Sequence, residues 1–173
     1  MKPLKEATYD KHKEAETMPF NVKMFKGELT NEQYSKYLLS QLEIFSAIEE
    51  TFQLPHEGLK RKDAVIEDLK SLGFEQLEIA DNASLTYGSY LRGLDEETAM
   101  AHIYLNYLAI MFGGQMMKAN TPGDGNMYEF ENMMECAGAV RAIQKDEWAD
   151  EVNKGFEFMI EIFKELEKCL TIN

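Results

Sequence analysis

The chain has 173 residues, 45% of them apolar, and a formal net charge of −13. That length fits one domain, residues 1–173, with enough interior to fold without disulfides or a structural metal. The charge excludes nucleic acid and anionic membrane surfaces as natural partners, and no terminal run is apolar enough to act as a membrane anchor. Cys136 and Cys169 match no metal spacing. With no secretory signal at the N-terminus, they read as free thiols in a cytoplasmic protein. The sequon at Asn82 then carries no meaning.

Taken in order, the chain reads as helical almost throughout. Leu4, Thr8, His12 and Ala15 recur at helical spacing, with His12 at the edge of the inner face and Glu16 one turn further on. Pro19 stops that helix, and a short segment with Val22 and Phe25 ends at Gly27. Thr30 to Gln33 is a capping signature for a helix running through Tyr34, Leu38, Phe45 and Phe52 to Pro55. Further helices are expected over Leu59–Leu72 and Met127–Ile143, with a long amphipathic one from Trp148 to Leu170. Phe74–Leu94 is less regular, broken by Gly88 and Gly93. No period-two alternation occurs, so the fold class is all-α, with roughly seven or eight helices.

The stretch from His102 to Lys118 is the most informative. Asp95-Glu96-Glu97 supplies negative charge to the start of its helix, as the dipole prefers. From Ile103 to Phe112 it is apolar on nearly every side, so this helix must be surrounded by protein. Gly113 and Gly114 follow within the pattern, and each costs about 1 kcal/mol relative to alanine in a helix interior. Two readings explain them: a close helix–helix crossing, or a planar ligand lying across a kink.

Charge is uneven. Lys2, Lys5, Lys11, Lys13, Lys23 and Lys26 crowd the first segment, Lys60-Arg61-Lys62 forms a second basic knot, and the last helix is acidic. An anionic ligand or an acidic protein would be drawn to the N-terminal side.

Several blocks together resemble the heme oxygenase family. They are Leu4-Lys5-Glu6-Ala7-Thr8, His12 with Ala15-Glu16, Phe25-Lys26-Gly27, Ala47-Ile48-Glu49-Glu50 and Leu59-Lys60-Arg61-Lys62 with Asp68-Leu69. Ala101-His102 with Tyr104, Tyr107-Leu108 and Gly113-Gly114-Gln115 follow, then Phe163-Lys164-Glu165-Leu166. They occur in the family's order and cover most of the chain. The resemblance implies a multi-helical bundle with heme between a proximal helix and a kinked distal helix. His12 would be the axial iron ligand, and Glu16 would hold its other ring nitrogen. Lys5, Tyr104 and Arg141 would meet the heme propionates. The family's lysine one turn before that arginine falls on Ala137, and a second N-terminal lysine falls on Tyr9. His56 and His102 are taken as structural.

The same resemblance exposes a departure. The distal aspartate that many members place before the glycine pair is here Ile110, and the preceding glycine is Ala109. The neighbouring serine is Phe112, while a network tyrosine and arginine align with Phe45 and Asn106. A dry distal face disfavours ordered proton delivery, because a water needs polar partners to stay. The implied function is oxidative cleavage of heme to biliverdin, CO and ferrous iron by a monomer. Electrons would come from a ferredoxin or a flavin reductase docking near Lys11 and Lys13. The catalytic positions are then Gly113, Gly114 and Ile110. The alternative is a heme-binding carrier or sensor without ring cleavage. Thiaminases and dimetal oxidases share this fold, but three histidines make a dimetal site a poor fit. A cofactor-free helical interaction module is the remaining rival.

Overall fold

A computed structural model describes residues 1–74 and 80–170. Among these the architecture is all-α, with no strand. The N-terminal helix divides at Thr8 into α1 (Leu4–Ala7) and α2 (Tyr9–Glu16). The Thr8 hydroxyl donates to the Leu4 carbonyl at 2.9 Å, and such a side-chain bond competes with the regular backbone ladder. Leu4, Thr8 and Ala15 are buried as the spacing predicts, and His12 is exposed at the edge of that stripe. Pro19 opens α3 (Pro19–Phe25), and Gly27 follows it at φ +74°, a conformation that favours glycine.

The central element is α4 (Asn31–Thr51), and its capping box is present in full. The Gln33 amide donates to the Thr30 hydroxyl oxygen at 3.1 Å, and the Thr30 amide donates to the Gln33 side chain at 3.0 Å. Tyr34, Leu38, Phe45 and Ile48 along it are completely buried. α4 packs against α5 (Lys62–Ser71) and α6 (Asn82–Arg92). Gly88 does not break α6. It lets the Glu43 carboxylate and the Arg92 guanidinium meet over the α6 backbone at 2.7 Å, where any Cβ would collide with Glu43. Gly93 ends that helix. The expectation for Phe74–Leu94 includes 75–79, which lie outside the described residues.

Two expected helices are shorter than the sequence pattern indicates. Leu59–Leu72 divides into a 3₁₀ turn, Glu57–Leu59, and α5; Met127–Ile143 divides into a 3₁₀ turn, Asn126–Tyr128, and α9 (Met133–Ile143). The cause is a buried clamp. The Arg61 guanidinium donates to the carbonyls of Gly58, Leu59, Lys60, Met127 and Glu129. The Asp68 carboxylate accepts from the amides of Asn126 and Met127 at 2.7 and 2.8 Å. Backbone groups held by side chains no longer carry a helical ladder.

Asp95 caps α7 (Glu96–Leu108), accepting from the Thr98 amide at 2.9 Å. The helix then widens into a π turn over Ala109–Gly113 and resumes as α8 (Gly114–Met117). At the junction the Gly114 amide bonds the Ala109 carbonyl, five residues back. This is the bend that the glycine pair predicts, and a π turn is a recognised cause of one. α10 (Ala149–Glu167) closes the bundle, with Val152, Phe156, Ile160, Phe163 and Leu166 buried. No helix among the described residues is long and apolar enough to cross a membrane.

Candidate functional site

α10 connects the two elements that matter. It packs on both α2 and α7. A cluster separate from the main core gathers Leu4, Ala15, Ala101, Leu105, Trp148, Val152, Phe156 and Ile160, with Tyr104 partly buried against it. On α2 the His12 ring is stacked on the Phe156 ring, with centroids 5.3 Å apart and an interplanar angle of 12°. The Glu16 carboxylate does not bond that imidazole. It is exposed and pairs with Lys13 at 3.7 Å, a neighbour on its own helix that needs no ordering of the histidine. Phe156 therefore positions His12 in place of the expected carboxylate.

The two glycines of the bend have different surroundings. A Cβ on Gly114 would lie 2.5 Å from the Tyr128 ring, so this glycine is a close packing contact. A Cβ on Gly113 would meet nothing within 4 Å. Around it Ala109, Phe112 (41% exposed) and Met116 (62% exposed) also face outward. Ala109, Phe112, Gly113 and Met116 fall on one side of the helix, so the bend presents an uncovered, mostly apolar strip. The close-crossing reading of the glycine pair thus applies to Gly114, while Gly113 is open on its outer side.

The other expected site residues divide similarly. The Arg141 guanidinium on α9 sits over the Phe112 ring at 4.7 Å, beside the exposed strip. Tyr104 is half-buried against the Trp148 ring. Burial raises its phenol above the ordinary value, and the Arg141 charge partly offsets this. Lys5 is exposed on α1, Tyr9 is exposed on α2, and Ala137 is buried in the core. Ile110 points away from the strip into the main core, 5% exposed. Phe45 is fully buried and packs on the Tyr107 ring at 5.0 Å. Neither offers a proton or a lone pair.

The basic surface is also smaller than the sequence indicates. In the second basic knot Arg61 is buried in its clamp, Lys60 pairs with Glu57 at 2.8 Å, and Lys62 pairs with Glu50 at 2.7 Å. Lys11 lies between Glu14 at 3.5 Å and Glu157 at 3.8 Å. A surface depression of about 390 Å³ next to Arg61 is lined by Asp63, Glu67, Glu129 and Glu131, an acidic rim unsuited to an anion.

One arrangement has little warning in the sequence. His102, on α7, is fully buried and bonded at both ring nitrogens, to the Tyr87 hydroxyl at 2.7 Å and to Glu151 at 2.8 Å. Asn106, one turn on, donates to the Tyr87 oxygen at 3.0 Å. Only the four-residue spacing of His102 and Asn106 on an apolar helix hints at this. Tyr87 and Glu151 come from distant elements. His56 is structural too, its Nδ1 accepting from the Gly58 amide at 2.9 Å. Cys136 and Cys169 are free thiols.

The sequence profile of the heme oxygenase family matches residues 1–154. The chain belongs to the heme oxygenase family. It is 26% identical to bovine heme oxygenase 1 over 206 aligned positions, covering 97% of this chain and 71% of that one. It covers 65% of rabbit heme oxygenase 2, at 26% identity over 96% of this chain. The fold superimposes on heme oxygenase-1 of the cyanobacterium Synechocystis, solved in complex with heme. That match has a TM-score of 0.84 and 24% identity, over 96% of this chain and 91% of that one. Within the heme oxygenase fold, α2 and the α7–α8 bend of this chain are the elements that carry His12 and the glycine pair.

Proposed function

We propose that this protein binds heme between α2 and the α7–α8 bend and opens it oxidatively to biliverdin, carbon monoxide and ferrous iron. The observation that carries this is Gly113, in a chain of this family. Its missing side chain leaves room beside the backbone of a buried helix, and the adjoining strip of Ala109, Phe112 and Met116 is apolar and uncovered. A soluble surface that leaves such residues together marks a ligand or partner site.

The residues present fit heme. Bound heme supplies the redox iron, and its own ring is the substrate. Imidazole is a good ligand for heme iron, and His12, exposed on α2 with its ring stacked on Phe156, is the residue that would hold it. Arg141, Tyr104 and Lys5 are the cation and hydroxyl groups for the two propionates. The apolar strip excludes water from one face of the ring. An electron donor, a ferredoxin or a flavin reductase, would dock by its acidic surface near Lys11 and Lys13.

Titration with hemin, followed by ascorbate or a reductase under air, tests this. The expected results are a sharp Soret band that is lost in His12→Ala and, on reduction, its decay with biliverdin absorption. A carrier or sensor without ring cleavage is the second reading, favoured by the burial of apolar Ile110 and Phe45 where proton-handling groups would sit. A Soret band that persists unchanged under reduction and air selects it.

A further inference from the structure

We propose that Phe112 is a positioning residue for Arg141: its ring holds the guanidinium beside the uncovered strip with the donor fork unoccupied, open to an acid group at the edge of a bound porphyrin. The inference rests on the heme-binding reading above and gives Phe112 a part in it.

α9 offers Arg141 no ion-pair partner of its own. A carboxylate stabilises a helical cation from three or four residues away, and those places hold Ala137, Gly138, Gln144 and Lys145. Lys145 is itself a cation and pairs with Glu97 at 2.8 Å. Elsewhere in the chain Lys60, Lys62 and Arg92 each sit against a carboxylate. Arg141 does not. Among the described residues its guanidinium makes neither a hydrogen bond nor an ion pair, and it rests over the Phe112 ring, 4.7 Å from the centroid.

A ring and a carboxylate hold an arginine differently. A carboxylate takes up N–H groups of the fork, whereas a phenyl ring attracts the cation through its face and has no lone pair to accept from them. The five donors of Arg141 stay available, in the planar arrangement that meets a carboxylate with two bonds at once. The side chain is restrained all the same. An arginine free on the surface samples many rotamers, and ordering it on a ligand lowers affinity; one already resting on a ring loses less.

Space lies beside the pair. Gly138, one turn back on the exposed side of α9, would meet no atom within 4 Å if it carried a Cβ. Phe112 keeps 41% of its surface exposed, next to the open side of Gly113. Burial raises the Tyr104 phenol and the Arg141 charge works against it, so the hydroxyl lies within range of the same cation. A restrained cation with free donors, beside open apolar surface, suits a flat ligand with an acidic edge.

The test compares hemin with hemin dimethyl ester, whose two acid groups are blocked, by Soret titration of the full chain in one dilute detergent buffer. The quantity read is the preference, the ratio of the two affinities. Phe112→Leu removes the ring and keeps an apolar side chain in the strip. It is expected to lower the preference for hemin about two- to five-fold, the scale of an exposed cation–π pair. Phe112→Tyr, which keeps a ring, retains the wild-type preference. Arg141→Met lowers it, and adding Phe112→Leu to that variant lowers it no further. A preference unchanged in Phe112→Leu overturns the inference, whatever happens to either affinity alone. So does a drop that persists in the Arg141→Met background. Absence of a Soret band when hemin is added to the wild type overturns the functional reading itself, and the inference with it.

Discussion

At the scale of single residues, adjacent glycines have opposite duties, and substitution separates them. Gly114→Ala pushes a methyl group into the Tyr128 ring. Overpacking of this kind costs about 1–3 kcal/mol, so the urea midpoint falls. Gly113→Ala meets no atom. Its stability stays within about 1 kcal/mol of wild type or rises slightly, since alanine is the better helix former. Heme affinity, read by Soret titration, falls instead. The reverse pattern would place the ligand elsewhere. Arg61 makes a comparable point for the core. Arg61→Met strands buried carbonyls of Met127 and Glu129, and a loss of about 3 kcal/mol in urea unfolding is expected. A lysine-rich motif reads in sequence as a surface. Only the fold turns its middle member inward.

At the scale of elements, α7 carries two kinds of information along one helix. Its apolar content, its Asp95 cap and its glycine bend are local, and each is legible in the sequence because each depends on near neighbours in the chain. The chain through His102 needs α6 and α10 to arrive, so no local pattern records it. It has a pH signature. The folded pKa of His102 is below the unfolded 6.5, chiefly because burial disfavours the charged ring, with the Glu151 hydrogen bond opposing. A depressed pKa adds stability that is fully present above the unfolded value and is lost as pH falls through the folded one. Unfolding midpoints in urea therefore decline from about pH 6.5 downward, and His102→Gln flattens that slope. At Glu151 burial raises the carboxyl, but the His102 and Tyr90 bonds outweigh it and leave it below its ordinary 4.5. Its contribution has the same sign but begins at more acid pH, below about 4.5.

At the scale of the whole molecule, charge sets how a donor approaches. With a net charge of −13, the chain repels an acidic protein over most of its surface. Lys11 and Lys13 are the nearest cations to His12 in sequence, although each is already paired with glutamates on or near α2. Lys11→Glu with Lys13→Glu is expected to slow electron delivery from a ferredoxin or flavin reductase without changing hemin affinity, and the wild-type rate is expected to fall with ionic strength. Turnover indifferent to both would move the docking site off this face.

The sequence by itself determined the all-α class, the principal caps, the bend at Gly113–Gly114 and the family, because helical periodicity, capping residues and ordered motifs are properties of neighbouring residues. It did not determine that Phe156 rather than Glu16 supports His12, that one glycine is packed and the other open, or that Arg61 is a clamp. Nor did it show that hydrogen bonds through His102 and Tyr87 join a carboxylate on α10 to an amide on α7. Those are decided by which faces meet when helices far apart in the chain pack together, and a hydrogen bond across such a contact leaves no periodic trace in the order of the residues.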